Sequence, residues 1–122
     1  MKTILLANHD TFVRTAQKDI LTKNGYMVLG EAETVEQSVE KFKRLNPDLV
    51  IVDFHPVEFD CIRAMKEMRN INSSAIFVIC SSFVANGPVV EAITLGAKGW
   101  AFPQLPHNSD MLLEQVAWAF EN

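Results

Sequence analysis

The chain has 122 residues, enough for one well-cored domain and too few for two. Hydrophobic residues make up 48% and charged residues 21%, a globular balance that excludes disorder, collagen and a small disulfide scaffold. Fifteen acidic against eleven basic residues leave a net charge of -4, and the cations are scattered, which argues against direct nucleic-acid or anionic-membrane binding.

At the N-terminus Lys2 precedes a short apolar run that stops at Asn8, His9 and Asp10, a pattern unlike a secretory signal. The longest purely apolar stretches, 49–52 and 75–80, fall far short of the roughly 20 residues that span a bilayer. A cytoplasmic location is therefore expected. The run 4–7 predicts the first strand, and Phe12, Val13, Ala16, Ile20 and Leu21 then recur at helical spacing until Gly25 stops the helix. A shorter, peripheral strand is predicted at 26–30. Thr34 with Gln37 resembles a capping box, and Val35, Val39, Phe42 and Leu45 form one stripe that ends before Pro47. Residues 49–52 predict the third strand; Ile62, Met65 and Met68 mark the third helix. The fourth strand is predicted at 76–80, and Pro88 opens a fourth helix carrying Val89, Ala92 and Ile93. A second peripheral strand is expected at 99–102. Asn108 or Ser109 caps a fifth helix bearing Leu112, Leu113, Val116 and Phe120, with Asp110 near its positive end.

Strand and helix thus alternate five times, and the central strands are continuous apolar runs. This predicts an α/β domain: one doubly wound, five-stranded parallel sheet of flavodoxin-like type with five helices covering both faces. Ligands in such sheets bind beyond the carboxyl ends of the strands, where strand order reverses. Asn8, His9 and Asp10 leave the first strand there, Asp53, Phe54 and His55 the third, and Ser81 and Ser82 the fourth. No glycine lies at the first strand's exit, which argues against dinucleotide binding and a P-loop. There is no GxSxG elbow, and Cys61 and Cys80 lack CxxC spacing, so they read as reduced, packed thiols and no enzyme chemistry is expected.

The run Pro47-Asp48-Leu49-Val50-Ile51-Val52-Asp53, then Asp60, then Leu95-Gly96-Ala97-Lys98-Gly99-Trp100 resembles the receiver domain of bacterial two-component response regulators, of CheY-like type. The resemblance spans essentially 1–122 and includes Arg14 after the first-strand loop. It implies that Asp53 holds the phosphoacceptor position, Ser81 and Ser82 the switch hydroxyl and its small neighbour, and Trp100 the aromatic that reports activation. A histidine kinase or another signalling protein would be the partner. The face carrying Trp100, Phe102, Pro103, Leu105 and Trp118 suits output or homodimer contacts.

Three pocket positions depart from the family. Two acidic residues usually follow the first strand, and here Asn8 and His9 stand there. The family's lysine is replaced by Pro103, followed by Gln104 where proline is usual. An amide and an imidazole cannot supply the charge that Mg²⁺ draws from carboxylates. A weakened Mg²⁺ site is expected, with only Asp53, Asp10 and His9 to draw on. Losing one stabiliser of phosphoryl transfer costs about 100- to 1000-fold in rate, so an atypical receiver is expected. An imidazolium at His9 beside Asp53 would stand in for the missing metal or lysine and hold one conformation. Three alternatives accompany this reading: a constitutive protein–protein interaction module that is never phosphorylated, a Zn²⁺, Ni²⁺ or Mn²⁺ site from His9, Asp10, Asp53 and His55, and a small flavodoxin-like enzyme or ligand-binding protein.

Overall fold

A computed structural model describes residues 1–55, 57–80, 95–101 and 109–121. The elements run β1 (Thr3–Ala7), α1 (Thr11–Lys23), β2 (Met27–Ala32), α2 (Val35–Leu45), β3 (Leu49–Asp53), α3 (Cys61–Ile71), β4 (Ile76–Cys80), β5 (Ala97–Ala101) and α4 (Ser109–Glu121). The five strands form one parallel sheet in the order β2-β1-β3-β4-β5, so the predicted doubly wound architecture is present. The fifth predicted helix is α4, whereas the fourth, opened by Pro88, lies outside the described residues.

The apolar runs fold as they do because neighbouring strand residues point to opposite faces, and both faces are covered. Leu5, Val50, Val52, Phe77 and Ile79 meet Val35 and Phe42 of α2 and Ala64, Met65 and Met68 of α3. Ile4, Leu6, Leu49, Ile51, Val78 and Cys80 meet Val13 and Leu21 of α1 and Leu112, Val116 and Ala119 of α4. Each large side chain so buried contributes about 1.5–3 kcal/mol.

Three expectations are corrected in detail. Strand β2 runs to Ala32, past the predicted end at 30, because Glu31 and Ala32 still pair with Leu6 and Ala7 beyond a register shift between Ile4 and Leu5. Strand β5 begins at Ala97, two residues before the predicted start, because Ala97 already pairs with Phe77. Helix α1 turns Phe12 outward, 71% exposed, and buries Val13, Arg14, Gln17 and Leu21. That rotation puts a guanidinium and an amide where the apolar stripe was expected. The stops match the sequence: Gly25 takes φ of 88° after α1, and Asn46 takes φ of 48° after α2.

Candidate functional site

Strand order reverses between β1 and β3, so their carboxyl ends open the crevice where this fold places ligands. Residues 8–10 leave β1 and Asp53 closes β3 at that point. Asp53 is buried, in register with Cys80 of β4, and the next peptide is tied down by Phe54 N–H donating to the Cys80 carbonyl at 2.9 Å.

The His9 ring meets Asp53 directly. Its Nδ1 pairs with Oδ2 of Asp53, and the His9 backbone N–H donates to the same oxygen at 3.2 Å. The Asp53 side chain is 8% exposed and the His9 side chain 29%, so the imidazole forms the outer member of the pair. The His55 ring packs at 4.7 Å from that of His9, tilted by 60°. Nδ1 of His55 accepts the N–H groups of Val57 at 3.2 Å and Glu58 at 3.0 Å, which places the proton of the neutral ring on Nε2. A short bridge from His55 to Phe59 closes this loop, and Asp60 then caps α3 by accepting from the Arg63 N–H.

The β1–α1 loop is held from several sides. Oδ1 of Asn8 accepts the Asp10 N–H at 2.8 Å, and the buried Asn8 peptide donates to the Ala32 carbonyl at 2.9 Å. The Asn8 carbonyl accepts from Nη1 of Arg14, whose Nε donates to Glu31 at 3.1 Å and whose Nη2 donates to Thr11 at 3.1 Å. Asp10 caps α1, its Oδ1 accepting from the N–H groups of Phe12 and Val13. Below the loop, Gln17 of α1 donates through Nε2 to Sγ of Cys80 at 3.2 Å.

Sequence reasoning therefore placed Asn8, His9, Asp10, Asp53 and His55 at one end of the sheet, and the structure puts His9 on Asp53 and His55 on His9. It does not gather Asp10 with them: its carboxylate is exposed and serves the helix. Among the described residues no group of three or more His, Cys, Asp or Glu is placed to hold a metal ion, which counts against the four-ligand transition-metal arrangement. Ser81, Ser82, Phe102, Pro103 and Leu105 lie outside the described residues; Trp100 is in β5. The Arg14–Glu31 tie and the Gln17 contact were not anticipated. The available signal was the spacing of Arg14 and Gln17, which puts both on one face with Val13 and Leu21.

Burial sets the chemistry of the thiols. It pushes Cys80 up to about 12, with the nearby Asp53 charge adding to the effect and the Gln17 hydrogen bond opposing it. Cys61 is driven far above the usual thiol range, by burial first and then by Asp53 and Asp60. Neither thiol is in a disulfide, and both stay protonated and unreactive near neutral pH. No helix among the described residues is long and apolar enough to cross a membrane.

The response regulator receiver domain family matches residues 4–105. The chemotaxis protein CheY of Bacillus subtilis (strain 168) is 41% identical over 113 residues, covering 93% of this chain and 92% of that protein. The CheY of Thermotoga maritima is 41% identical over 97 residues, covering 80% and 81%. In fold, the chain superposes on a chain of the CheX-CheY-BeF3-Mg+2 complex from Borrelia burgdorferi with a TM-score of 0.87, at 21% identity, covering 98% of this chain and 89% of that one.

Proposed function

The chain belongs to the family of response regulator receiver domains, and from that premise we propose a receiver whose signalling state does not follow Mg²⁺-assisted phosphorylation of Asp53. The observation that carries this reading is the His9 imidazole seated on Oδ2 of Asp53. A carboxylate at that position would help bind a hard cation, whereas an imidazole N–H occupies the oxygen the cation would need.

The surrounding donors do not suit Mg²⁺ either. The Asn8 amide oxygen is engaged by the Asp10 N–H, and the Asp10 carboxylate caps α1. The domain is on this reading a binding module, not an enzyme. Its output is recognition of a histidine kinase or another signalling protein by a surface that the His9–Asp53 pair helps to hold in one shape.

The test is a two-dimensional amide NMR titration, first with Mg²⁺ and then with beryllofluoride, a phosphoryl mimic, repeated on Asp53→Asn. The expected result is that the resonances of His9, Asp53 and Cys80 ignore both additions. Saturable shifts that vanish in Asp53→Asn would restore an ordinary phospho-switch and overturn the proposal.

A further inference from the structure

We infer that Nε2 of His9 is a phosphoryl-accepting atom, with Asp53 as its orienting carboxylate; the inference rests on the reading of the site just given. An ionised carboxylate only accepts hydrogen bonds, so the contact of Oδ2 with Nδ1 puts the ring proton on Nδ1. In the neutral ring the nucleophilic lone pair then sits on Nε2, directed away from Asp53. A bond formed at Nε2 makes the ring cationic, and the adjacent carboxylate stabilises that charge while holding the tautomer.

Three further features favour the ring over the carboxylate as the acceptor. His9 is the more exposed partner, at 29% against 8%, so an incoming donor meets it first. A neutral imidazole approaches an anionic phosphoryl group without the repulsion that a carboxylate must overcome, which removes the need for a metal to screen it. The loop that carries His9 is also fixed on both sides. Arg14 and Ala32 hold Asn8, and Asp10 is locked between the Asn8 side chain and the first turn of α1. Phosphoryl transfer depends mainly on such positioning.

The donor class is a small phosphoramidate or acyl phosphate. The Nε2 lone pair forms the new N–P bond as the bond from phosphorus to the leaving group breaks. The bonding pair departs with the leaving amine or carboxylate, an amine taking its proton from solvent. The proton on Nδ1 remains shared with Asp53.

The experiment incubates the full chain with phosphoramidate in the absence of added metal, follows addition of one phosphoryl group by intact mass spectrometry, and locates it by peptide mapping. Phosphohistidine survives alkali but not mild acid, whereas an acyl phosphate is cleaved by alkali. The expected adduct is alkali-stable, acid-labile and mapped to His9. It is absent from His9→Gln and His9→Asn, whose folding is checked by circular dichroism, and it forms about 10- to 100-fold more slowly in Asp53→Asn. An adduct on His55 or His107, or one formed at an undiminished rate in Asp53→Asn, overturns the inference. No adduct at all overturns it while leaving the proposed function standing. An alkali-labile adduct on Asp53 overturns it too, and one whose formation Mg²⁺ accelerates overturns the proposed function as well.

Discussion

At the scale of single residues, Asp53 and His9 form the contact on which the site depends, and their coupling is measurable. Removing the His9 ring leaves Oδ2 of Asp53 with the His9 backbone N–H, and the loss of the side-chain hydrogen bond of this part-buried pair costs about 0.5–1.5 kcal/mol. His9→Ala is therefore expected to lower stability in urea. The same substitution in an Asp53→Ala background should cost less, giving a coupling of about 0.5–3 kcal/mol in a double-mutant cycle. Strict additivity would mean that the pair holds nothing in place. Cys80 supplies a second residue-scale prediction, with its sign set by burial. A thiol raised in the folded state keeps its proton where the unfolded chain loses it. Its stabilisation is complete below the ordinary thiol value of about 8.5 and is lost as pH rises toward the folded value. The alkaline limb of a stability–pH curve should fall less steeply in Cys80→Ala, by up to about 1.4 kcal/mol per pH unit. Parallel limbs would contradict the shift. At this scale the sequence revealed which residues leave the strand ends, because that follows from strand length and the spacing of the 47–53 run. It did not reveal that Asp10 would be spent as a cap, or that Arg14 would reach the Asn8 carbonyl. Both depend on how far α1 is rotated about its axis, and two side-chain hydrogen bonds settle that rotation.

At the scale of elements, the sheet is joined across its amino end by a reciprocal clasp. The Asp48 carboxylate accepts from the Thr3 N–H at 2.8 Å and from its hydroxyl at 3.0 Å, while the Asp48 N–H donates back to Oγ1 of Thr3 at 3.0 Å. These bonds fasten the start of β1 to the turn before β3. The Thr3 backbone hydrogen bond chiefly holds the Asp48 carboxyl below its ordinary value, assisted by the Thr3 hydroxyl and by the charges of Lys2 and the N-terminus and opposed by burial. A depressed carboxyl stabilises the fold above its unfolded value, about 3.9, and that stabilisation disappears as pH falls through the folded value. Asp48→Asn should thus flatten the acid limb of urea midpoints measured down to about pH 3, by less than about 1 kcal/mol because the group is exposed. An unchanged acid limb would remove Asp48 from the account. Most elements were legible in the sequence because caps and stops are local: Thr34 accepts from the Gln37 N–H, as its spacing implied. The Gln37 side chain, however, accepts from Glu33 in place of Thr34. The ends of β2 and β5 were not legible, since each is an edge strand whose length is dictated by the partner it pairs with.

At the scale of the whole molecule, one sheet carries two apolar layers, and every central strand supplies residues to both. The doubly wound arrangement was legible for this reason: continuous apolar runs make sense only in strands buried on both faces. It follows that the layers cannot unfold separately without stripping one face of a shared sheet, so urea should produce a single transition. Ile4 points into the layer under α1 and α4, and Ile79 into the layer under α2 and α3. They lie on strands separated by β3, roughly 10 Å apart across the sheet. Ile4→Val and Ile79→Val should each cost about 0.5–1.5 kcal/mol, and the double variant should equal their sum within about 0.5 kcal/mol with an unchanged m-value. Packing defects on opposite faces then act independently in magnitude while sharing one cooperative unfolding event. A split transition in the double variant would show that the faces are separable. A deficit well beyond the sum would show that the sheet transmits repacking from one layer to the other, a route by which events at β1 and β3 would reach the far helices.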